Sequence, residues 1–387
     1  MALRVRAARG LPFAVALAAA SCTIDVSLVK DRADAAAESD VSSRDIASPV
    51  DAPDVVEAPP DVIGIDAVTA DAQEDALVDA IDDADAANAD GAITDASVGV
   101  WQRVTSPTGS DLRAVWGFGP RDVWIVGDRS TILRWTGTTW SPVSTPAANT
   151  SFRSVWGSAP DDVWAVGYDT GGWLVIVHFD GRTWIRVPAP AVRYLPRSVF
   201  GMSRTDAWIV GGRVEFSDDI VFRWDGVRWN TIRTGGNRTR YLDIGGTSPT
   251  DLWIVALDDT MLRWNGTTFV APAATLPVAV VTFELGLWAM GPEEFWVTGD
   301  AGTMHRFERG TWTSVNTGTR NLLRTVWGID RSCVWAVGTR GTIARSNGVS
   351  WAAIEDITPR TLFGVWAASA DDAWAVGEGG TILHSVP

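Results

Sequence analysis

The sequence predicts an all-β fold, a seven-bladed β-propeller, because two landmarks recur seven times along it. The first landmark is a Trp-Gly pair or its substitute, and the second is a Trp eight residues later. Successive units start about 40, 44, 45, 43, 39 and 39 residues apart, which is the period of a four-stranded blade. The first landmarks are Trp116, Trp156, Phe200, Gly245, Trp288, Trp327 and Trp366. The second landmarks are Trp124, Trp164, Trp208, Trp253, Trp296, Trp335 and Trp374.

The first unit shows why each repeat is expected to form four strands. Residues 112–117, 122–127, 131–135 and 139–143 are short runs rich in Val, Ile, Thr and Trp, separated by Gly, Pro or Asp. No segment of ten or more residues has apolar spacing near 3.6, so no helix is predicted. Both Trp series are expected to fill the wedges between neighbouring sheets.

Two further residues recur in the units and receive structural interpretations. An acid stands two places before the second Trp, as Asp122 does, and is expected to bond backbone N–H groups in a turn. A Gly ends the second strand, as Gly127 does, and is expected to supply a positive φ.

The ends of the repeat region predict how the ring closes. The seventh unit has only three strand segments, whereas residues 99–104 resemble the fourth segment of the second unit, residues 181–187. We therefore expect the strand at 99–104 to complete the last blade, which removes the sheet edges of an open array. The propeller is assigned to residues 99–387.

Residues 1–21 have the composition of a signal peptide. Three arginines in the first nine residues precede a short apolar core at 11–20, which is too short to span a bilayer. The sequence Ala20-Ser21-Cys22 resembles the lipobox of bacterial lipoproteins, which implies lipidation of Cys22 and a firm membrane anchor. Thr23 follows in place of the Asp of an inner-membrane signal, so the outer membrane is favoured. The alternative is an ordinary secretory signal with an incidental Cys.

Residues 22–98 are expected to form a disordered acidic tether. After Cys22, this segment has 17 Asp and 3 Glu against three basic residues, and it has no aromatic residue. Such a chain repels itself and buries too little apolar surface to fold. The protein's net charge of −15 therefore belongs to the tether, which leaves the propeller close to neutral. This balance argues against nucleic acid as a partner.

The end of each unit resembles a known propeller family. Asp180-Gly181-Arg182-Thr183-Trp184 is similar to the tail of the Asp-box of sialidase-type (BNR) propellers, although the acid directly precedes Gly. The resemblance implies the fold and only weakly an activity. Members of that family act on glycans through a Tyr and Glu pair. The tyrosines of this chain are Tyr168, Tyr194 and Tyr241, and Tyr241 occupies a position expected in the core.

The histidines do not predict a metal site. His178, His305 and His384 are assigned to one repeat position, which Arg134, Arg223 and Arg263 occupy in other units. Because they lie on different blades, a common centre is not expected. No cofactor and no catalytic residue are assigned. A pair of carboxylates from different blades stays the alternative, and it would make the chain a glycoside hydrolase. Acids outside the repeating turn are Glu215, Asp218, Asp219, Asp243, Glu284, Glu308, Glu355 and Asp356.

Insertions in the second and third units predict the ligand-binding region. Trp173 and Phe216 are aromatic residues on extended loops, where they can stack on a sugar or a partner protein. Neighbouring residues on these loops complete the candidate site: Tyr168, Asp169, Glu215 and Asp218. The alternative is that both aromatic residues fold back on their own blades. The sequence as a whole predicts an exported, lipid-anchored monomer whose propeller binds a protein or carbohydrate at the cell envelope without catalysis.

Overall fold

The computed structural model confirms a seven-bladed β-propeller made of antiparallel four-stranded blades. The structure describes residues 93–95, 99–214, 220–235, 240–257, 260–272, 276 and 286–386. Cys22, the predicted signal peptide and nearly all of the predicted tether lie outside these residues. Within the described part of the chain there is no α-helix, and thus none long and apolar enough to cross a membrane.

The seven blades follow one another along the chain. Blade 1 contains β3 (Leu112–Gly119), β4 (Asp122–Gly127), β5 (Ile132–Trp135) and β6 (Trp140–Pro142). Blade 2 contains β7 (Thr150–Ala159), β8 (Asp162–Asp169), β9 (Leu174–Phe179) and β10 (Trp184–Val187). Blade 3 contains β11 (Tyr194–Ser203), β12 (Asp206–Arg213), β13 (Ile220–Trp224) and β14 (Trp229–Arg233). Blade 4 contains β15 (Tyr241–Ser248), β16 (Asp251–Ala256), β17 (Met261–Trp264) and β18 (Phe269–Val270).

Blade 5 contains β19 (Leu287–Gly291), β20 (Glu294–Thr298), β21 (Thr303–Glu308) and β22 (Thr311–Asn316). Blade 6 contains β23 (Leu323–Asp330), β24 (Cys333–Gly338), β25 (Ile343–Ser346) and β26 (Trp351–Ile354). Blade 7 contains β27 (Leu362–Ser369), β28 (Asp372–Gly377) and β29 (Ile382–Val386), with β2 (Gly99–Arg103) and β1 (Ile93–Asp95) outside them. The first strand of every blade is innermost, and β27 packs against β3 to close the ring around a central channel.

The predicted closure of blade 7 is confirmed. Strand β2 pairs antiparallel with β29, with Trp101 opposite Ser385, so the early strand supplies the fourth strand of the last blade. Strand β1 then pairs with β2, with Ile93 opposite Trp101. The described sheet thus begins at Ile93, inside the segment that the sequence assigned to the tether.

The hydrophobic core is divided into seven clusters, one in each seam between neighbouring blades. The second-landmark Trp of a blade enters the seam and meets the fourth-strand aromatic residue of the next blade. Trp124 and Trp184 meet edge to face with centroids 5.4 Å apart, and Trp164 and Trp229 repeat this arrangement at 5.3 Å. Edge-to-face pairs add to the stabilisation from burial. The prediction that this Trp series fills the wedges is therefore confirmed.

The first-landmark aromatic residues lie side by side around the channel. Trp116 and Trp156 have ring centroids 6.4 Å apart, and Trp288 and Trp327 lie at 5.2 Å. The Gly of the landmark makes room for the ring of the preceding blade. A Cβ on Gly117 would lie 2.6 Å from a ring carbon of Trp366, which is too close for any side chain. The Trp-Gly pair is thus a packing requirement between blades.

The Gly that ends the second strand serves close approach, so the expectation of a positive φ is wrong. Gly338 and Gly377 have φ values of −169° and −165°, which is extended backbone. A Cβ on Gly127 would lie 2.0 Å from the carbonyl oxygen of Asp111. The connection from the preceding blade crosses so near this position that only glycine fits.

The propeller has two faces that differ in regularity. One face carries the turns between the first and second strands and between the third and fourth strands of each blade, and we call it the regular face. The opposite face carries the turns between the second and third strands and the connections from one blade to the next, and we call it the variable face.

Candidate functional site

The predicted insertion of blade 2 is a lengthened β8–β9 hairpin on the variable face. Strand β8 has eight residues where β4 of blade 1 has six, and its added residues are Tyr168 and Asp169. Tyr168 pairs with Ser151 on β7, so it belongs to the sheet and not to a loop. The hairpin tip consists of residues 170–173 alone.

Local hydrogen bonds fix the conformation of the hairpin tip. The Asp169 Oδ1 atom accepts the backbone N–H groups of Gly171 and Trp173, at 2.9 and 3.0 Å. Gly172 adopts a left-handed conformation with φ of 75°, which a residue with a side chain adopts only with strain. The indole of Trp173 lies against Gly171, where a Cβ would come within 2.9 Å of its Cδ1 atom. Asp169 therefore acts on the backbone of the tip.

Backbone and side-chain contacts connect the tip to the segment that leads into blade 3. The N–H of Tyr194 donates to the Gly172 carbonyl at 2.9 Å, and Arg193 Nε donates to the Gly171 carbonyl at 3.0 Å. Trp173 and Arg193 also form an antiparallel bridge. The tip is consequently held from two blades, and its aromatic residue is presented in one position.

Trp173 differs from every other tryptophan of the chain. All 22 tryptophans lie among the described residues, and Trp173 is the most exposed of them, with 46% of its surface accessible. Part of the indole is covered by its own hairpin, and the rest is open to solvent. The alternative expectation, that Trp173 folds back as a cap on its own blade, is tested by the stability of Trp173→Ala.

Tyr168, at the base of the same hairpin, contacts Arg153 of the innermost strand β7. The Arg153 guanidinium packs over its ring at 5.2 Å and donates a hydrogen bond to its hydroxyl oxygen. Both side chains are partly buried. The sequence does not predict the roles of Arg153 and Arg193, because the position of a single arginine does not indicate which residue its side chain contacts.

The predicted site in blade 3 lies mostly outside the described residues. Phe216, Glu215 and Asp218 all belong to this part, so their prediction stays untested. Val214, which precedes them, is buried and approaches Gly172 of the blade 2 hairpin. The β12–β13 connection thus begins beside the Trp173 tip.

The regular face carries a repeated cluster of an acid, a cation and a tryptophan. The acid before the second Trp receives a side-chain bond from the third strand, which corrects the expected bonds to backbone N–H groups. The pairs are Asp122–Arg134, Asp162–His178, Asp206–Arg223, Asp251–Arg263, Glu294–Arg306 and Asp372–His384. In each, the cationic or imidazole group lies on the second-landmark indole, at 3.8 to 5.3 Å. In each of these six blades the three groups contact one another.

His305 corrects one sequence assignment. It lies opposite Val297, whereas Arg306 lies opposite Trp296 and takes the repeat position that was assigned to His305. Burial lowers the pKa of His305. Among the described residues, no group of three or more His, Cys, Asp or Glu side chains is arranged to hold a metal ion.

The acids outside the repeating position have separate partners where the structure describes them. Glu308 pairs with Arg306, Asp356 pairs with Arg340, and Glu355 accepts a hydrogen bond from Thr319. Glu215, Asp218, Asp219 and Glu284 lie outside the described residues. Glu308 lies opposite Glu294 on the neighbouring strand, and both carboxylates contact Arg306 and Arg331. Tyr194 and Tyr241 are buried in the core.

Asp243 is the exception among these acids. It occupies the innermost strand of blade 4, where blades 2 and 3 have Ser154 and Ser198. Its Oδ2 atom accepts the N–H of Leu287 in blade 5 at 2.8 Å, and Ser198 in blade 3 bonds its carboxylate. Burial raises the pKa of Asp243 to about 6, against the lowering effect of these hydrogen bonds. A carboxylate in this position joins three blades at the channel wall.

Comparison with known proteins supports the fold. No protein-family model and no curated protein sequence matches the chain. Among solved structures, YCF48 bound to D1 peptide is similar with a TM-score of 0.61 and 16% identity, covering 77% of this chain and 100% of that one. Virginiamycin B lyase from Staphylococcus aureus is similar with a TM-score of 0.62 and 14% identity, covering 74% and 99%. At these identities the likeness shows a propeller fold alone.

Proposed function

We propose that this chain is an exported, membrane-anchored binding protein whose propeller holds a protein ligand on its variable face, without catalysis. The observation that carries the proposal is the single exposed indole, Trp173, on a hairpin tip fixed from two blades. Tryptophan and arginine are enriched at the energetic centres of protein interfaces. A tip that is already ordered loses little conformational entropy on binding, which raises affinity for a given contact area.

One further observation favours a protein over a carbohydrate ligand. One structural neighbour of this propeller is YCF48 bound to D1 peptide. A sugar ring also stacks on an indole, so carbohydrate binding is kept as an outcome of the test.

The non-catalytic part of the proposal rests on the partners of the ionisable groups. The described acids outside the repeat are bound by Arg, Thr, Ser or backbone donors of the propeller itself. One neighbour is a lyase, so a propeller of this shape is compatible with chemistry. In this chain the feature that stands out on the variable face is an aromatic platform, which is a recognition element.

The test compares Trp173→Ala with a matched control on the other face. Val349 is 95% exposed in the β25–β26 turn of the regular face, so Val349→Ala removes exposed apolar surface without touching the hairpin. The full chain in detergent is incubated with envelope proteins and, separately, with a glycan array. We expect Trp173→Ala to weaken capture of a specific protein about tenfold or more, and Val349→Ala to leave it unchanged.

Other outcomes have definite meanings. Equal loss in both variants, or in neither, would remove the Trp173 hairpin as the ligand site. Retention of intact glycans that depends on Trp173 would replace the protein ligand by a carbohydrate. Release of cleaved sugar products would replace the binding protein by a glycoside hydrolase.

The membrane anchor is tested separately. Cys22 is the residue that the lipobox resemblance marks for lipidation, and several acyl chains on one residue hold a protein firmly on a bilayer. We expect Cys22→Ala to move the chain from the membrane fraction to the soluble exported fraction. A Cys22→Ala variant that stays with the membrane would contradict the anchor and leave the propeller's ligand unaffected.

A further inference from the structure

The innermost strand of blade 4 departs from the other blades at two positions that share one side of the strand. Asp243 replaces a small or hydroxyl-bearing residue, and Gly245 replaces the aromatic first landmark. The positions equivalent to Asp243 in the other blades are Ala114, Ser154, Ser198, Gly286, Thr325 and Gly364. Residues two apart on a strand point to the same side, so the carboxylate lies next to the missing ring.

The missing ring leaves a break in the aromatic belt around the channel. Ring contacts run from Trp116 through Trp156 to Phe200, and they resume at Trp288 on the far side of Gly245. A Cβ on Gly245 would find its nearest neighbours in the side chain of Leu287, at an ordinary contact distance of 3.6 Å. Phe200, Asp243 and Trp288 are each partly exposed, and they belong to strands that surround the channel.

These features combine a negative charge with aromatic faces. The carboxylate of Asp243 has donors from Ile244, Leu287 and Ser198, and two carboxylate oxygens together offer about four acceptor positions. Trp and Phe rings attract cations to their faces, most strongly where water is partly excluded. The partly exposed Asp243 carboxylate is a candidate functional group, because Ser154 makes the same blade-to-blade bond without charge, to Val199 N–H at 3.1 Å.

We infer that the break in the aromatic belt at Gly245, beside Asp243, is a binding site for an alkylammonium or guanidinium group that enters along the central channel. The carboxylate pairs with the cationic head, and Phe200 and Trp288 flank it. The site lies on a different blade from the Trp173 hairpin, so it stands or falls independently of the proposed function.

The probe is n-butylammonium chloride, with n-butanol as its uncharged counterpart. Binding to the full chain at pH 7.5 is followed by tryptophan fluorescence and by ligand-observed NMR. We expect saturable binding of n-butylammonium and none of n-butanol. Asp243→Asn keeps the shape and the acceptor for Leu287 and should weaken binding at least tenfold. Asp243→Ser introduces the residue that blades 2 and 3 carry at this position, so this variant is expected to fold. It should also weaken n-butylammonium binding at least tenfold.

A second variant tests the shape of the site. The double variant Gly245→Phe with Leu287→Val gives blade 4 the aromatic residue that blade 3 carries and gives blade 5 the valine that blade 2 carries. It should close the break in the aromatic belt and abolish binding. Trp173→Ala should leave n-butylammonium binding unchanged. The inference is overturned if the unmodified chain shows no saturable binding, or if Asp243→Asn and Asp243→Ser both bind as tightly as the unmodified chain does.

Discussion

The two faces of the propeller differ in how closely they follow the repeat. On the regular face, six blades carry the same acid paired with an Arg or His that lies on a tryptophan. On the variable face, blade 2 alone lifts a tryptophan out of the core on a lengthened hairpin. The first pattern recurs in six blades as part of their packing, whereas the second occurs in one blade. Departure from the repeat is therefore the better guide to a ligand.

Among the substitutions that test this comparison, truncation of a tryptophan in a seam between blades should lower the stability most. Trp124 is fully buried between blades 1 and 2, with Trp184 and Phe179 against it. Trp124→Ala leaves a cavity in a seam that the ring must keep closed, and we expect it to lower the free energy of unfolding by about 3–5 kcal/mol. Urea denaturation followed by far-UV circular dichroism measures the change. A loss below 1 kcal/mol would mean that a seam can collapse around the gap.

The next largest effect on stability is expected at Asp243 on the innermost strand of blade 4, and this effect depends on pH. The pKa of Asp243 is raised to about 6 in the folded chain, above its ordinary value of 3.8. The folded chain therefore binds more protons between pH 3.8 and 6, and its stability falls as the pH rises through this window. Asp243→Asn has no such titration, so we expect its stability relative to the unmodified chain to rise by about 1–3 kcal/mol from pH 4 to pH 7.

Denaturation of both proteins at several pH values checks the sign. The quantity to compare is the difference in free energy of unfolding between the two proteins, because the titration of every other group cancels in it. A difference that stays constant from pH 4 to pH 7 would mean that Asp243 titrates normally. A difference that falls with pH would mean that its hydrogen bonds outweigh its burial.

Asp162 on the regular face should show the opposite dependence. Burial raises the pKa of Asp162, but hydrogen bonds from His178 and Ser158 and the charges of His178 and Arg204 outweigh it and lower the pKa. Its contribution to stability is present above pH 3.8 and is lost as the pH falls through the lowered folded value. We expect Asp162→Asn to cost about 1–2 kcal/mol at pH 7, with the two proteins converging under acid. A cost that is the same at pH 3 and pH 7 would assign the loss to shape and not to charge.

The scaffold was predictable from the sequence because its rules repeat. Seven copies of one spacing identify the blades, and the mismatch between the two ends of the array identifies the closing strand. The role of a repeated residue was less predictable. Gly127 was expected to supply a positive φ, yet a carbonyl of the preceding connection requires the glycine. Asp122 was expected to accept hydrogen bonds from backbone N–H groups, yet its donor is Arg134 on strand β5.

The candidate sites were only partly predictable, because they depend on contacts between blades. Trp173 was identified as an insertion, but the support from Arg193 and Tyr194 crosses a seam that no local spacing reveals. Asp243 was one of eight acids outside the repeat. Its special position became visible only when β11, β15 and β19 were seen as neighbours around the channel. His305 shows the reverse error, since a one-residue difference in register moved it off the repeat position.

The smallest expected effect on stability completes the comparison between the faces. Trp173 has nearly half its surface in solvent, and its tip is held by backbone atoms and by Asp169 and Arg193, none of which depends on the indole. We therefore expect Trp173→Ala to change the free energy of unfolding by no more than about 0.5 kcal/mol, against several kcal/mol for Trp124→Ala. The same denaturation series measures both variants. A large loss at Trp173 would mean that the indole is a structural cap of the hairpin, and the reason for placing a ligand there would disappear.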